Sequence, residues 1–439
     1  MFMQNTLSLF NTYLLSPVST TILLIGGIIL TIRLKFLQFK NPIQLIKILT
    51  KRSSKGTSPF RALTLALAGT LGVGNISGVA FALSFGGAGA LFWMWISAAF
   101  AMIVKYAEIV LAVHYRTFTN NEAHGGAMYY IKKGIKNKKV AKIIATVFSI
   151  LCIFSSLSTG SIIQINSAAE AAYESYATPQ YLTGLLIAFL TFIALIYSKK
   201  ITSITVKLVP LMSAIFIILS TVIIAINIKD IPDIISLIIS DAFSPDSFSG
   251  GILGFISSKC IRQGVTKGLF SNEAGCGTST IAHAQAESTS PYSQGLWGIF
   301  EVFFDTIVLC SLTGFVLLLT YGNATPDVGG GVAVTLRAYA SALGPIARHL
   351  LSLSIILFAY ATIICWAHYG CESVRFISDN KRLKYYYIAF YILSIIYGAV
   401  APSSAIWEVA DLSIYLLLII NTLCVLSMTD TVIKLTKNR

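Results

Sequence analysis

Apolar runs of about 20 residues recur from one end of the chain to the other, with short polar loops between them. Each run is long enough to cross about 30 Å of hydrocarbon as a helix. By that criterion the sequence predicts about eleven spans. They lie near 15–34, 62–84, 90–113, 141–172, 180–198, 203–227, 252–285, 294–321, 344–370, 385–401 and 409–431. The second run contains Gly69, Gly72 and Gly74 inside Gly-Thr-Leu-Gly-Val-Gly-Asn-Ile-Ser-Gly, residues 69–78. Each glycine weakens a helix by roughly 1 kcal/mol relative to alanine. Unpaired backbone in lipid costs several kcal/mol, so it survives where it lines a protein cavity. The seventh run is interrupted by Ser271-Asn272-Glu273-Ala274-Gly275-Cys276-Gly277.

With the first span set aside, each break opens a block of five helices. An odd block inserts the opposite way from its twin. The pattern predicts an all-α polytopic membrane protein: one N-terminal helix plus an inverted five-plus-five repeat whose halves begin with broken helices, the leucine-transporter arrangement. Residues 1–61 then form an N-terminal helix and basic cytoplasmic loop, 62–228 the first repeat, 229–251 an external connecting segment, and 252–439 the second repeat.

Composition agrees with a membrane domain. Only 11% of the 439 residues are charged, 55% are hydrophobic, and mean hydropathy is +0.77. Soluble domains carry about 25% charged residues. The net charge of +14 raises the question of nucleic acid. Its distribution argues against that partner, because the bases sit in short loops where they set topology. Arg33, Lys35, Lys40, Lys47, Lys51, Arg52, Lys55 and Arg61 share one loop, and Lys132, Lys133, Lys136, Lys138, Lys139 and Lys142 another. Lys199 and Lys200, Arg375 to Lys384, and Lys434 to Arg439 fall on the same side, whereas 230–246 is acidic. The N-terminus is expected outside and the C-terminus in the cytoplasm, in a bacterial inner (plasma) membrane. Lys259, Arg262 and Lys267 break the rule and predict an amphipathic or water-facing stretch in the seventh span. The first apolar run has no basic leader before it and reads as a retained helix. The seven cysteines form no CxxC pair and read as small buried residues.

The breaks carry the candidate chemistry. Helix halves that end at mid-membrane expose N–H groups at one pole and carbonyls at the other. The first suits a carboxylate, the second an ammonium or Na⁺. Thr70 and Asn75 add side-chain oxygens; the competing reading is a packing face through the Gly74/Gly78 GxxxG pair. At the second break Glu273 is an intramembrane carboxylate, hence a ligand or coupling group, or else a salt bridge or cap. Ser271 and Asn272 offer oxygens beside it, and Phe270 could wall a small pocket. Gln164 is either a helix–helix hydrogen bond or a ligand. Thr362 and Trp366 face the same way one turn apart, as core packing or as pocket. Glu301 and Asp305 read as a cation relay or polar contact, and Lys105 with Glu108 as a local structural pair. No nucleophile accompanies these groups, the histidines lack metal-ligand spacing, and no phosphate loop is present. The chain is therefore read as a non-enzyme driven by an ion gradient.

At these residues the chain resembles the alanine/glycine:cation symporter family. The resemblance covers nearly the whole length. It is carried by Gly72-Val73-Gly74-Asn75-Ile76-Ser77-Gly78-Val79-Ala80, Gly89-Ala90-Leu91-Phe92-Trp93-Met94-Trp95, Gly125-Gly126-Ala127-Met128-Tyr129-Tyr130-Ile131 and Phe270-Ser271-Asn272-Glu273-Ala274-Gly275, with Ile281-Ala282-His283-Ala284 and Asp305-Thr306. It implies symport of small neutral amino acids (alanine, glycine) with sodium, no cofactor, a lipid bilayer as surroundings, and a monomer. It implies a pocket at Thr70, Gly72, Gly74, Asn75, Gln164, Phe270, Thr362 and Trp366. Carbonyls of the broken helix with Asn75, Ser271 and Thr70 are the implied sodium ligands; Glu273, Asn272 and Asp305 are structural or coupling groups. Ala88 and Ala127 stand where the family usually has proline, and Cys276-Gly277-Thr278-Ser279-Thr280 replaces its usual Leu-Gly-Ser-Ala-Pro. A carrier of another small solute (a nucleobase or organic cation), a sensor and a channel remain the competing readings.

Overall fold

A computed structural model describes residues 2–40, 59–119, 122–196, 201–243, 259–286, 290–323 and 331–437. The basic loop at 41–58, Lys199 and Lys200, and the expected start of the seventh span at 252–258 lie outside the described residues. Among the described residues the regular structure is helical, as expected, apart from one small antiparallel hairpin, β1 (Thr117–Thr119) with β2 (Glu122–His124).

The N-terminal helix starts earlier than its apolar run suggests. α1 (Phe2–Phe10) continues through a wider π turn at Asn11–Leu15 into α2 (Ser16–Arg33). The bent pair α3 (Pro59–Thr70) and α4 (Ser77–Gly86) follows, then α5 (Ala90–Tyr115). Beyond the hairpin come α6 (Ala127–Gly134), α7 (Lys138–Leu157), α8 (Ile163–Tyr176), α9 (Gln180–Ile196) and α10 (Ile201–Ile226). The stretch read as a connector carries a helix, α11 (Ile231–Ala242), whose last carbonyl accepts from Trp93 Nε1 at 3.2 Å. The second broken segment is α12 (Lys259–Asn272) and α13 (Thr280–Ala284). α14 (Pro291–Val302) runs through a π segment at Phe303–Cys310 into α15 (Ser311–Tyr321). α16 (Gly331–Leu343), α17 (Pro345–Ile377), α18 (Lys381–Val400), α19 (Ser403–Ser427) and α20 (Thr429–Lys437) complete the chain.

Among the described residues eight helices are long and apolar enough to cross a membrane, and nine if the bent pair counts as one span. The expectation of eleven also included α9, a shorter apolar helix of 17 residues, and the seventh run, of which α12 supplies 14. Lipid-facing positions explain the many exposed large side chains, such as Phe189, Ile218 and Phe390. The buried centre is mixed. α5 is almost wholly enclosed and packs on α12 and α14, while α8 lies against α17. Lys105, Glu108, Glu301 and Asp305 are all completely buried there. A buried charge is tolerated only with partners, so their partners define the interior.

Candidate functional site

The first break bends the chain by 55° between Ala62–Thr70 and Val73–Gly86. The carbonyl pole of α3 is met by side chains. Thr362 Oγ1 donates to Ala68 O at 2.9 Å, and Thr70 Oγ1 turns back to Ala66 O at 3.3 Å. At the N–H pole Val73 N donates to Gln164 Oε1 at 3.1 Å. Gln164 in turn donates through Nε2 to Thr159 O at 3.2 Å, within the π turn that joins α7 to α8. A methyl on Gly72 would stand 2.9 Å from Gln164 Oε1 and 3.0 Å from Thr362 Oγ1, so Gly72, Gln164 and Thr362 converge on one point. Gly74 faces Phe270 and Ser271, whose nearest atoms would lie 3.2 Å from its added Cβ. Gly78 faces open space, which removes it from the GxxxG packing pair.

A second cluster ties the two breaks together. Asp305, in the π segment, accepts from Asn75 Nδ2 at 2.7 Å, Ser271 Oγ at 2.6 Å and Thr306 Oγ1 at 3.0 Å. Asn272 Nδ2 donates to Thr306 Oγ1 at 3.0 Å. Among the described residues no basic side chain pairs with Asp305, and the buried Asn75 Oδ1 has no hydrogen-bond partner. The carboxylate thus faces one amide nitrogen and two hydroxyls, and carboxylate and hydroxyl oxygens are of the kind a hard cation takes. Glu301 and Asp305 do not act as a pair: Asp305 looks to the breaks, while Glu301 binds His283 Nε2 at 2.7 Å and Lys105 Nζ at 3.3 Å.

The second break is already filled by the chain itself. Glu273, Gly275 and Gly277 all have left-handed φ (52°, 83° and 76°), which turns the chain sharply after α12. Lys105 Nζ donates to Asn272 O, in the last turn of α12, at 2.9 Å and to Ser279 Oγ at 2.8 Å. Lys105 therefore does not pair with Glu108 as its sequence neighbour. Glu108 instead accepts from Asn421 Nδ2 at 2.7 Å and Gly275 N at 3.4 Å. Glu273 accepts from Thr278 Oγ1 at 2.6 Å and Trp366 Nε1 at 3.2 Å, two side-chain donors of which neither is a base nor a helix-terminal N–H. Trp366 is wholly buried, with Gly160 leaving room for its Cβ and Tyr369 against its ring.

Gly72, Gln164 and Thr362 thus meet at one place; Gly74, Asn75, Phe270, Ser271 and Asp305 meet beside it. Thr70, Glu273 and Trp366 are engaged in bonds of their own. Sequence reasoning missed Lys105 as the partner of the second break. The signal was a lysine inside a span, which lipid does not tolerate alone. It also missed Trp407, whose ring packs 4.9 Å from that of Phe270.

Residues 1–438 match the family described as the sodium:alanine symporter family. A sodium/alanine symporter of Methanococcus maripaludis is 35% identical over 436 residues, covering 97% of this chain and 95% of its own. A probable sodium/glutamine symporter of Bacillus subtilis is 31% identical over 438 residues, covering 98% and 89%. Among solved structures, a manganese transporter of Eremococcus coleocola superposes with a TM-score of 0.50 at 13% identity, over 84% of this chain and 79% of that one. This last likeness concerns the fold alone.

Proposed function

Because the chain belongs to the sodium:alanine symporter family, we propose that it takes up small neutral amino acids, alanine and glycine, together with Na⁺ by alternating access. The observation that carries the reading is the convergence of Val73 N–H, Gln164 and Thr362 on Gly72 at a bend in an otherwise apolar helix. A carboxylate arriving there competes with Gln164 Oε1 for the Val73 N–H, at the positive pole of α4. Na⁺ settles beside Asp305, taking Asn75 Oδ1 and Ser271 Oγ as further ligands. Each guest lowers the desolvation cost of the other, and that coupling is reciprocal. Phe270 against Gly74, and Trp366 against Gly160, limit the room for a side chain and favour glycine and alanine over leucine. Asn272 and Glu273 hold the second break in shape.

The same reading includes the finer architecture: eleven spans, an N-terminal helix and two inverted five-helix blocks with the boundaries at 61, 228 and 251. The loop charges support an outside N-terminus and a cytoplasmic C-terminus.

Counterflow of labelled alanine in proteoliposomes tests the reading, with Na⁺ and pH gradients imposed separately. Uphill accumulation under an inward Na⁺ gradient, blocked by unlabelled glycine, supports it. The curated relatives differ in named cargo, so glutamine belongs in the same competition. Competition by glutamine alone moves the assignment to that substrate. Ion current without substrate, or accumulation of a nucleobase in place of alanine, refutes it.

A further inference from the structure

A cavity of about 290 Å³ lies between α4, α12, α19 and the N-terminal helix. Its apolar wall is Phe81, Phe85 and Trp407. Phe81 meets Trp407 edge-on at 5.0 Å, and Trp407 meets Phe270 at 4.9 Å. Phe270 is the ring that abuts Gly74. The aromatic floor of this cavity is therefore the partition between it and the first break.

The polar wall carries both signs of charge. Lys267 Nζ sits 3.0 Å and 3.2 Å from the two carboxylate oxygens of Asp411 and 4.8 Å above the Trp407 ring. Glu408 accepts from Asn11 Nδ2 at 2.8 Å. Arg262 touches the Thr12 carbonyl at a long 3.5 Å, and among the described residues it has no carboxylate partner. Asn11 is buried, and its Oδ1 has no hydrogen-bond partner. Two bases and two acids balance, so a simple anion meets Asp411 and Glu408, and a simple cation meets Arg262 and Lys267. A guest carrying both charges satisfies both sets. The guanidinium fork of Arg262 matches a carboxylate; Glu408 and Asn11 Oδ1 accept from an ammonium. The volume lies just under the roughly 300 Å³ at which sites for drug-sized ligands begin, which suits a smaller guest.

We propose that this cavity is a second binding site for a small zwitterionic amino acid, a waiting position separated from the first break by the Phe270–Trp407 partition. Arg262 holds the carboxylate and Glu408 the ammonium. The site rests on the transport reading above for the identity of its guest. It also gives the N-terminal helix a task, since that helix supplies Asn11, Thr12 and Ser16 to the wall.

The test is equilibrium binding of labelled alanine to the purified full-length protein. The wild type should bind two molecules per chain, one tightly and one weakly. Gly72→Ala, whose methyl meets Gln164 and Thr362 and not Phe270, should weaken the tight component and leave the weak one. Adding Arg262→Gln should weaken the weak component at least tenfold. In case Gly72→Ala does not fold, Gln263→Cys, which lines the same cavity, reports separately. Alanine should protect that thiol from a membrane-impermeant reagent, and Arg262→Gln should abolish the protection while tight binding persists. One alanine per chain in a protein that transports normally overturns the second site alone. A weak component indifferent to Arg262→Gln does the same, as does protection that survives it. No alanine binding by the wild type overturns the transport reading and this site together.

Discussion

Replacing Gly72 with alanine adds one methyl group at the point where the first break closes. That carbon would stand 2.9 Å from Gln164 Oε1, 3.0 Å from Thr362 Oγ1 and 3.2 Å from Gln164 Nε2. The first approach is shorter than a Cβ contact allows and the other two are tight, so the Gln164 amide must shift and loosen its hold on the Val73 N–H. Overpacking of this kind costs about 1–3 kcal/mol. A buried N–H left without its acceptor costs the empty fold a further 1–3 kcal/mol or so, a loss the melt reads. Crowding by the methyl at the point where the carboxylate meets that N–H, at about 1–3 kcal/mol, corresponds to roughly five- to 150-fold in alanine affinity at 1.4 kcal/mol per decade. Scintillation-proximity binding and a thermal melt of the purified protein read both consequences. Gly78→Ala is the control, because its methyl meets nothing within 4 Å in the helix Ser77–Gly86. It should leave the melt unchanged or raise it, by about 1 kcal/mol at most. In a Gln164→Ala background the Gly72→Ala effect should shrink, since the obstructed side chain is gone. Alanine affinity within twofold of wild type, with an unaltered melt, would refute the geometry at Gly72.

Lys105→Met should destabilise the fold by about 3–5 kcal/mol, because it breaks a buried ion pair and leaves Glu301 with His283 alone; adding Glu301→Gln should recover part of that in a chemical-denaturation cycle, and additive losses would contradict the pairing. Asp305→Asn should raise the Na⁺ concentration for half-maximal uptake roughly ten- to hundredfold, the range of about 1.5–3 kcal/mol for contacts to a charged group, and an unshifted Na⁺ curve removes Asp305 from the ion site. Trp366→Phe keeps a ring beside Gly160 but leaves Glu273 Oε1 without its donor, so a loss of about 1–3 kcal/mol in thermal stability is expected. Trp366→Ala should admit leucine or abolish uptake; unchanged alanine uptake with leucine still excluded counts against its role as a wall.

The breaks were legible because glycine clusters and polar runs stand out against an apolar background. Gly72, Gln164 and Thr362 could be named as candidates from residue type and resemblance. Their convergence needed the fold. Partners across helices were not legible. Lys105 and Glu108 look like neighbours on one helix, yet α12 and α14 draw Lys105 to Asn272 and Glu301, and α19 draws Glu108 to Asn421. The start of the N-terminal helix was misjudged for a related reason. Asn11, Thr12 and Ser16 dilute the apolar signal because they face a cavity where lipid would otherwise be. The hairpin at 117–124 was invisible because strands of three residues leave no alternating pattern to read.

Lys105 and Glu108 set the two interrupted helices apart. Between them they supply a fixed ammonium and a fixed carboxylate to the second, in the manner of an amino acid that never departs. A passing solute would gain nothing there that the resident side chains do not already provide. The second interruption is thus a permanently loaded counterpart of the first.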